Sequence, residues 1–189
     1  MPSNTRPGML SRLPSDMTAS LSSHNVSLVS LDPYEFESSI AVRFEEQATA
    51  HCDRLAVRDR SGAWSYEDLN AAANRLARDL LARLGDASLP VAVLLEAGAP
   101  AIAAMLGVLK AGKVCVPLDP RFPAALLKDM VVDSESRLLV TGGQNTPCAS
   151  DLARQGLAVV EVDGQPSGAR ADDLRLAVVP DAIAFIHYT

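Results

Sequence analysis

Twelve residues at 109–120, Leu-Lys-Ala-Gly-Lys-Val-Cys-Val-Pro-Leu-Asp-Pro, restrict the fold of this chain more than any other stretch. They read as the end of an apolar helix, a stop, a short strand and a rigid exit. Gly112 stands just past the helix end, where glycine enters the left-handed region without a Cβ penalty. The apolar run 114–118 supplies the strand. Pro117 inside it has no N–H, so ladder pairing must stop or bulge there. Asp119 and Pro120 then shape a turn as the chain leaves.

The same residues contain a false lead. Gly107 to Val114 spells G-x-x-x-x-G-K-V, one residue short of a Walker A nucleotide loop. A true phosphate loop has a strand before its first glycine and a helix after its lysine. Here the helix comes first and the strand second, and Val114 lacks the hydroxyl that would reach a magnesium ion. The Walker reading is rejected on that order.

The rest of the chain repeats the alternation. Ser39 is a helix cap ahead of Ile40, Phe44 and Ala48, which recur every four residues as one stripe. Residues 55–59 alternate like a strand and turn through Ser61-Gly62 into 63–66, a hairpin signal. Ser65 and Asp68 have capping-box spacing. Leu69, Ala73, Leu76, Leu80 and Leu84 then form one helical face closed by Gly85. Strands are expected at 91–95, 114–118, 137–141, 157–162 and 183–188. Helices are expected from Pro100 to Lys110, from Pro123 with Leu126, Leu127, Met130 and Val131 buried, and weakly at 151–155. Apolar strands alternating with helices imply parallel pairing. The expected fold class is α/β, a three-layer, doubly wound parallel sheet with helices on both faces.

Composition excludes several partners. Of the 189 residues 48% are hydrophobic, enough for a substantial core. The net charge of −6 and 4% aromatic content offer neither a basic surface nor stacking platforms, so no nucleic-acid partner is expected. No apolar run approaches the roughly 20 residues that span a bilayer, so no membrane partner is expected either. Cys52, Cys115 and Cys148 are odd in number and far apart, and His24, His51 and His187 form no ligand pair. No metal site and no disulfide framework follow, and a cytoplasmic location is expected. Residues 1–39 are rich in serine and aperiodic, which reads as a disordered leader or linker ahead of an ordered unit at 40–189.

Four segments together resemble the adenylate-forming (AMP-binding) enzymes, above all the amino-acid-adenylating domains of nonribosomal peptide synthetases. VRFEEQATAHCDRLAV is similar to the family's FEEQ segment, with Cys52 in place of a proline. WSYEDLNAAANRLARDLLARLG matches its TYxELxxxANRLA helix at Tyr66, Leu69, Ala73, Asn74, Arg75, Leu76 and Ala77. LKAGKVCVPLDP resembles its LKAGxAYVPLDP signature, departing at Lys113 and Cys115. PDAIAFIHYT resembles the start of its phosphate-loop motif and reaches only Tyr188-Thr189. The resemblance covers about 40–189.

The resemblance implies that an intact relative binds ATP with Mg2+ and a carboxylic acid. The carboxylate attacks the α-phosphate, pyrophosphate leaves, and an acyl-adenylate remains. A phosphopantetheine thiol on a carrier domain, or coenzyme A, then takes the acyl group. In this chain Thr189 would begin the nucleotide-binding loop, whose backbone N–H groups approach the phosphates. Tyr66, Asn74, Gly112, Pro117, Asp119 and Pro120 are expected to be scaffolding. No catalytic residue is assigned. The expectation is an N-terminal fragment, itself inactive and prone to associate, of an acid-activating ligase with an amino acid as substrate. The alternatives are an acyl-CoA or fatty-acyl-AMP ligase fragment and, in another class, a noncatalytic α/β interaction module.

Overall fold

Four five- or four-residue strands form the centre of the fold, and each enters the sheet in the same direction. The computed structural model describes residues 38–60, 62–143, 146–154, 156–162, 172–179 and 181–188. All of them fall in the second of two compact units, Phe36–Thr189. Strands β3 (Pro90–Leu94), β4 (Val114–Leu118), β5 (Leu138–Thr141) and β6 (Ala158–Glu161) pair in parallel in the order β4-β3-β5-β6. A separate antiparallel hairpin joins β1 (Leu55–Asp59) to β2 (Gly62–Ser65), as the turn at Ser61-Gly62 predicts.

The pleat divides the strand residues between two cores. Val91, Val93, Cys115, Leu138, Val140 and Val160 face helices α2 (Tyr66–Leu84) and α3 (Ala99–Lys110). Ala92, Leu94, Val116, Leu118, Leu139 and Val159 face helices α4 (Ala124–Asp133) and α5 (Thr146–Ala153). Helix α1 (Ile40–Ala50) packs outside α2 and α3. The three-layer α/β reading therefore holds, and the layers follow from strands that are apolar on both sides.

Local signals explain the helix ends. The Ser39 hydroxyl accepts from the Val42 N–H at 3.3 Å. Ser65 and Asp68 exchange hydrogen bonds in a complete capping box at the start of α2. The Asp59 carboxylate, at the end of β1, accepts from Ala99 N–H at 2.8 Å and so caps α3 across 40 residues. At the other end of α3, Gly112 has φ +65°. Its N–H reaches the Leu109 carbonyl at 3.0 Å and the Lys113 N–H reaches that of Val108 at 3.1 Å, the paired bonds of a Schellman stop.

Some expectations need correction. Ile40 is 51% exposed, because Ala41, Phe44 and Ala48 form the inward face of α1, about 100° round the helix. Leu126 is 41% exposed for the same reason: α4 buries Leu127, Met130 and Val131, an i, i+3, i+4 stripe. Pro123 is the cap before α4 rather than a residue of its first turn. Helix α5 starts earlier than the expected 151–155, since Ala149 and Leu152 together make its buried side. The expected strand 183–188 is a single parallel bridge between Phe185 and Cys115. Pro117 accounts for that, because the next rung would need its missing N–H.

Gly107 brings the backbone of α3 close against α2. A Cβ there would meet the Ala73 carbonyl oxygen at 2.9 Å and the Leu76 Cβ at 3.0 Å, and backbone cannot swing aside. Gly107→Ala should therefore lower the denaturation midpoint. Overpacking costs about 1–3 kcal/mol, against a helix-propensity gain of about 1 kcal/mol. A midpoint that rises instead would mean that the helices part freely.

Candidate functional site

Open parallel sheets bind ligands outside the carboxyl ends of their strands, at the point where strand order reverses. Here β3 connects to β4 on one side and β5 to β6 on the other, so the reversal lies between β3 and β5. At that crevice the Thr141 hydroxyl donates to the Leu94 carbonyl at 3.1 Å, tying the two strand ends together. Pro117, Asp119 and Pro120 stand at the same rim, at the end of β4. The Asp119 carboxylate accepts from the Arg121 backbone N–H at 2.9 Å and from its guanidinium at 2.5 Å. Those side-chain and backbone bonds from Arg121 hold the Asp119 carboxyl down at about 2. A carboxylate so weakly basic closes a turn and does not take up protons near neutral pH.

A second cluster lies where α1, α2, α3 and the segment 172–179 meet. Lys110, the last residue of α3, is 1% exposed at its side chain. Its ammonium donates to Glu45 at 2.5 Å and to the Asn74 side-chain oxygen at 2.8 Å, and pairs with Asp173 at 3.5 Å. Asn74 is fully buried and works at both ends: its oxygen accepts from Lys110 and its amide donates to Asp173 at 2.9 Å. Asn70 donates to the same Asp173 oxygen at 2.8 Å. Burial pushes the Asp173 carboxyl up, but the bonds from Asn74 and Asn70 and the Lys110 charge outweigh it and hold it below its ordinary value. A lysine is tolerated in such a place only when its three donors meet acceptors.

Two residues that depart from the family signature are also inward. Lys113 donates to the Gly85 and Ala87 carbonyls at 2.5 and 2.7 Å, clamping the turn between α2 and β3. Burial pushes its pKa down, and Asp86 pulls it partly back. Cys115 sits in the sheet with its thiol pushed by burial up to about 12, which leaves it inert as a nucleophile at neutral pH. Among the described residues no His, Cys, Asp and Glu cluster could hold a metal ion. No helix among them is long and apolar enough to cross a membrane.

The residues singled out from sequence thus occupy several places. Tyr66 opens α2 with its ring stacked on Phe44, centroids 6.1 Å apart. Asn74 belongs to the buried ionic cluster, Gly112 to the helix stop, and Pro117, Asp119 and Pro120 to the rim. Thr189 lies outside the described residues, as does the larger part of 1–39. Sequence reasoning passed over Lys110, Glu45, Asp173, Asn70 and Asp59. For Lys110 a signal existed: it is the one charge in an otherwise apolar twelve-residue helix.

Comparison with known proteins places these features. The model of the AMP-binding enzyme family matches residues 44–189. Tyrocidine synthase 1 of Brevibacillus parabrevis is 33% identical over 84% of this chain and 15% of its own length. Surfactin synthase subunit 2 of Bacillus subtilis is 37% identical over 77% of this chain and 4% of its own length. The chain thus spans a small part of the relatives it matches. Among solved structures, PA1221, a nonribosomal peptide synthetase protein containing adenylation and PCP domains, superposes with a TM-score of 0.69 at 29% identity. That match covers 84% of this chain and 26% of that one.

Two outcomes follow from the geometry. Asn74→Asp would set a carboxylate against Asp173 and remove the amide that bridges it to Lys110. Disrupting a buried charged network costs about 3–5 kcal/mol, so equilibrium denaturation should show a loss of that order; an unchanged midpoint would show that the cluster carries no stability. Arg121→Ala should let the Asp119 carboxyl rise from about 2 toward its ordinary 3.8, followed by carboxyl NMR titration. Because the folded value is depressed, any stability from this pair is complete above about pH 4 and fades as pH falls through about 2.

Proposed function

The chain belongs to the AMP-binding enzyme family, and from that premise we propose that it is the N-terminal part of an adenylation domain that activates an amino acid with ATP. Residues 40–189 form the opening portion of that domain and 1–39 a leader to it. The carboxylate of the substrate attacks the ATP α-phosphate with Mg2+ on the phosphates, and pyrophosphate leaves. The acyl group then passes to the phosphopantetheine thiol of a carrier domain, with AMP leaving. The joining of adenylation and PCP domains in PA1221 supports a carrier as partner.

The observation that carries this reading is the convergence of three family segments on one buried cluster. Glu45 of FEEQ, Asn74 of ANRLA and Lys110 of LKAG meet within hydrogen-bonding distance of one ammonium. Segments joined by chance would not supply mutually required partners from three helices. On this reading Thr189 begins the phosphate loop, and Tyr66, Asn74, Gly112, Pro117, Asp119 and Pro120 hold the scaffold behind it.

The described residues at the rim contain no free cationic cradle for a triphosphate, since Thr141 is bonded to Leu94 and Arg121 to Asp119. Residues 1–189 alone should therefore give no ATP–pyrophosphate exchange. The same chain continued into a complete adenylation domain should give exchange that depends on an amino acid. Exchange by the 189 residues alone would overturn the assignment, and exchange driven only by fatty acids would move it to the acyl-CoA ligase branch.

A further inference from the structure

The last described segment is held to β4 by two backbone bonds. Cys115 N–H reaches the Ala184 carbonyl at 2.8 Å, and Ile186 N–H reaches that of Cys115 at 3.0 Å. Alternate residues of a strand point their N–H groups at the same neighbour. Val114 donates the other way, to Leu89 at 3.2 Å, so Cys115 and position 117 face the segment. Position 117 is proline and has no hydrogen to give. Among the described residues no backbone bond joins His187 or Tyr188 to β4.

A side chain takes over where the ladder stops. The Tyr188 hydroxyl donates to Asp133 at 2.8 Å and lies 3.1 Å from the Met130 carbonyl oxygen. Its ring packs with Ile186 against the core under α4. Burial, then the bond to Asp133 and that carboxylate's charge, push the phenol up, with Ser134 pulling slightly the other way, so the proton stays in place at neutral pH. Asp133 is the last residue of α4, where the helix dipole disfavours a carboxylate. Helix stability does not account for an acid there, whereas a phenol donor does.

Building on the adenylation reading, we propose that Tyr188, held by Asp133, is a positioning residue for ATP, setting the direction in which the chain leaves the edge of β4 toward the phosphates. The backbone donors of a phosphate loop hold an anion only when they point at it together, so a misdirected loop loses affinity for ATP. With Pro117 withholding the next rung, the phenol is what fixes the departure of the chain.

The test uses the complete adenylation domain with Tyr188→Phe, Asp133→Ala and the double variant. The expected result is an ATP KM raised about five- to tenfold, within the range of one ordinary hydrogen bond. The kcat and the acid KM should stay within about twofold, and the double variant should be no worse than Tyr188→Phe. An unchanged ATP KM, equal changes in both KM values, or additive effects would overturn the proposal. Asp133 is exposed, so its variant is expected to fold even if Tyr188→Phe does not. If the unaltered domain shows no exchange, the adenylation reading fails. Amide hydrogen exchange in the 189-residue chain then still decides the tether: Tyr188→Phe should speed exchange at the Ile186 amide, which is bonded to Cys115, and no change there would overturn it.

Discussion

One buried ammonium organises the helical side of this fold. Lys110 ends an apolar helix and is almost fully removed from water, a position that costs several kcal/mol unless every donor is met. The acceptors come from α1, α2 and the segment after β6, so the lysine is satisfied only when all four pieces are docked together. The inward face of α1, two alanines around the Phe44 ring, packs by non-directional apolar contact that leaves freedom to slide over α2 and α3. The charge removes that freedom by demanding Glu45 at one register.

The sheet is governed by a different constraint, the side to which each N–H points. Within β4 the donors of Val114 and its even-numbered neighbours face β3, and the five-residue register with β3 is unbroken. Pro117 interrupts only the outer side. A proline in a strand flanked on both sides is tolerated here because the lost donor belongs to the neighbour that pairs at a single bridge. The same substitution of geometry for chemistry is seen at α3, where a carboxylate from the hairpin, Asp59, caps a helix that has no capping side chain of its own.

Much of this was legible in advance for a physical reason. Helix stops, caps and strand runs depend on neighbours within four residues, so Ser39, Ser65-Asp68, Gly85 and Gly112 could be read directly and stand where expected. The layer count followed from strands apolar on both faces. Stripe membership at helix edges was less legible, because Ile40 and Leu126 lie one residue from the true inward face and only tertiary packing chooses between them. The ionic cluster was not read at all. Its members are separated by up to 128 positions, and a lysine, two asparagines and two acids spread over four pieces of chain have no shared periodicity. The terminal strand was overread because hydrophobic pattern says nothing of whether the partner strand has a donor to offer.

The two constraints are joined by a short length of chain. Asp173 is fixed in the Lys110 cluster, and Phe185, twelve positions on, is fixed at the Cys115 bridge. Between them the Val178 side chain comes within 3.8 Å of where a Cβ on Gly112 would stand. The return of the chain to the sheet edge is therefore anchored first by charge, then by close passage of the helix stop, then by two backbone bonds, and last by the Tyr188 phenol.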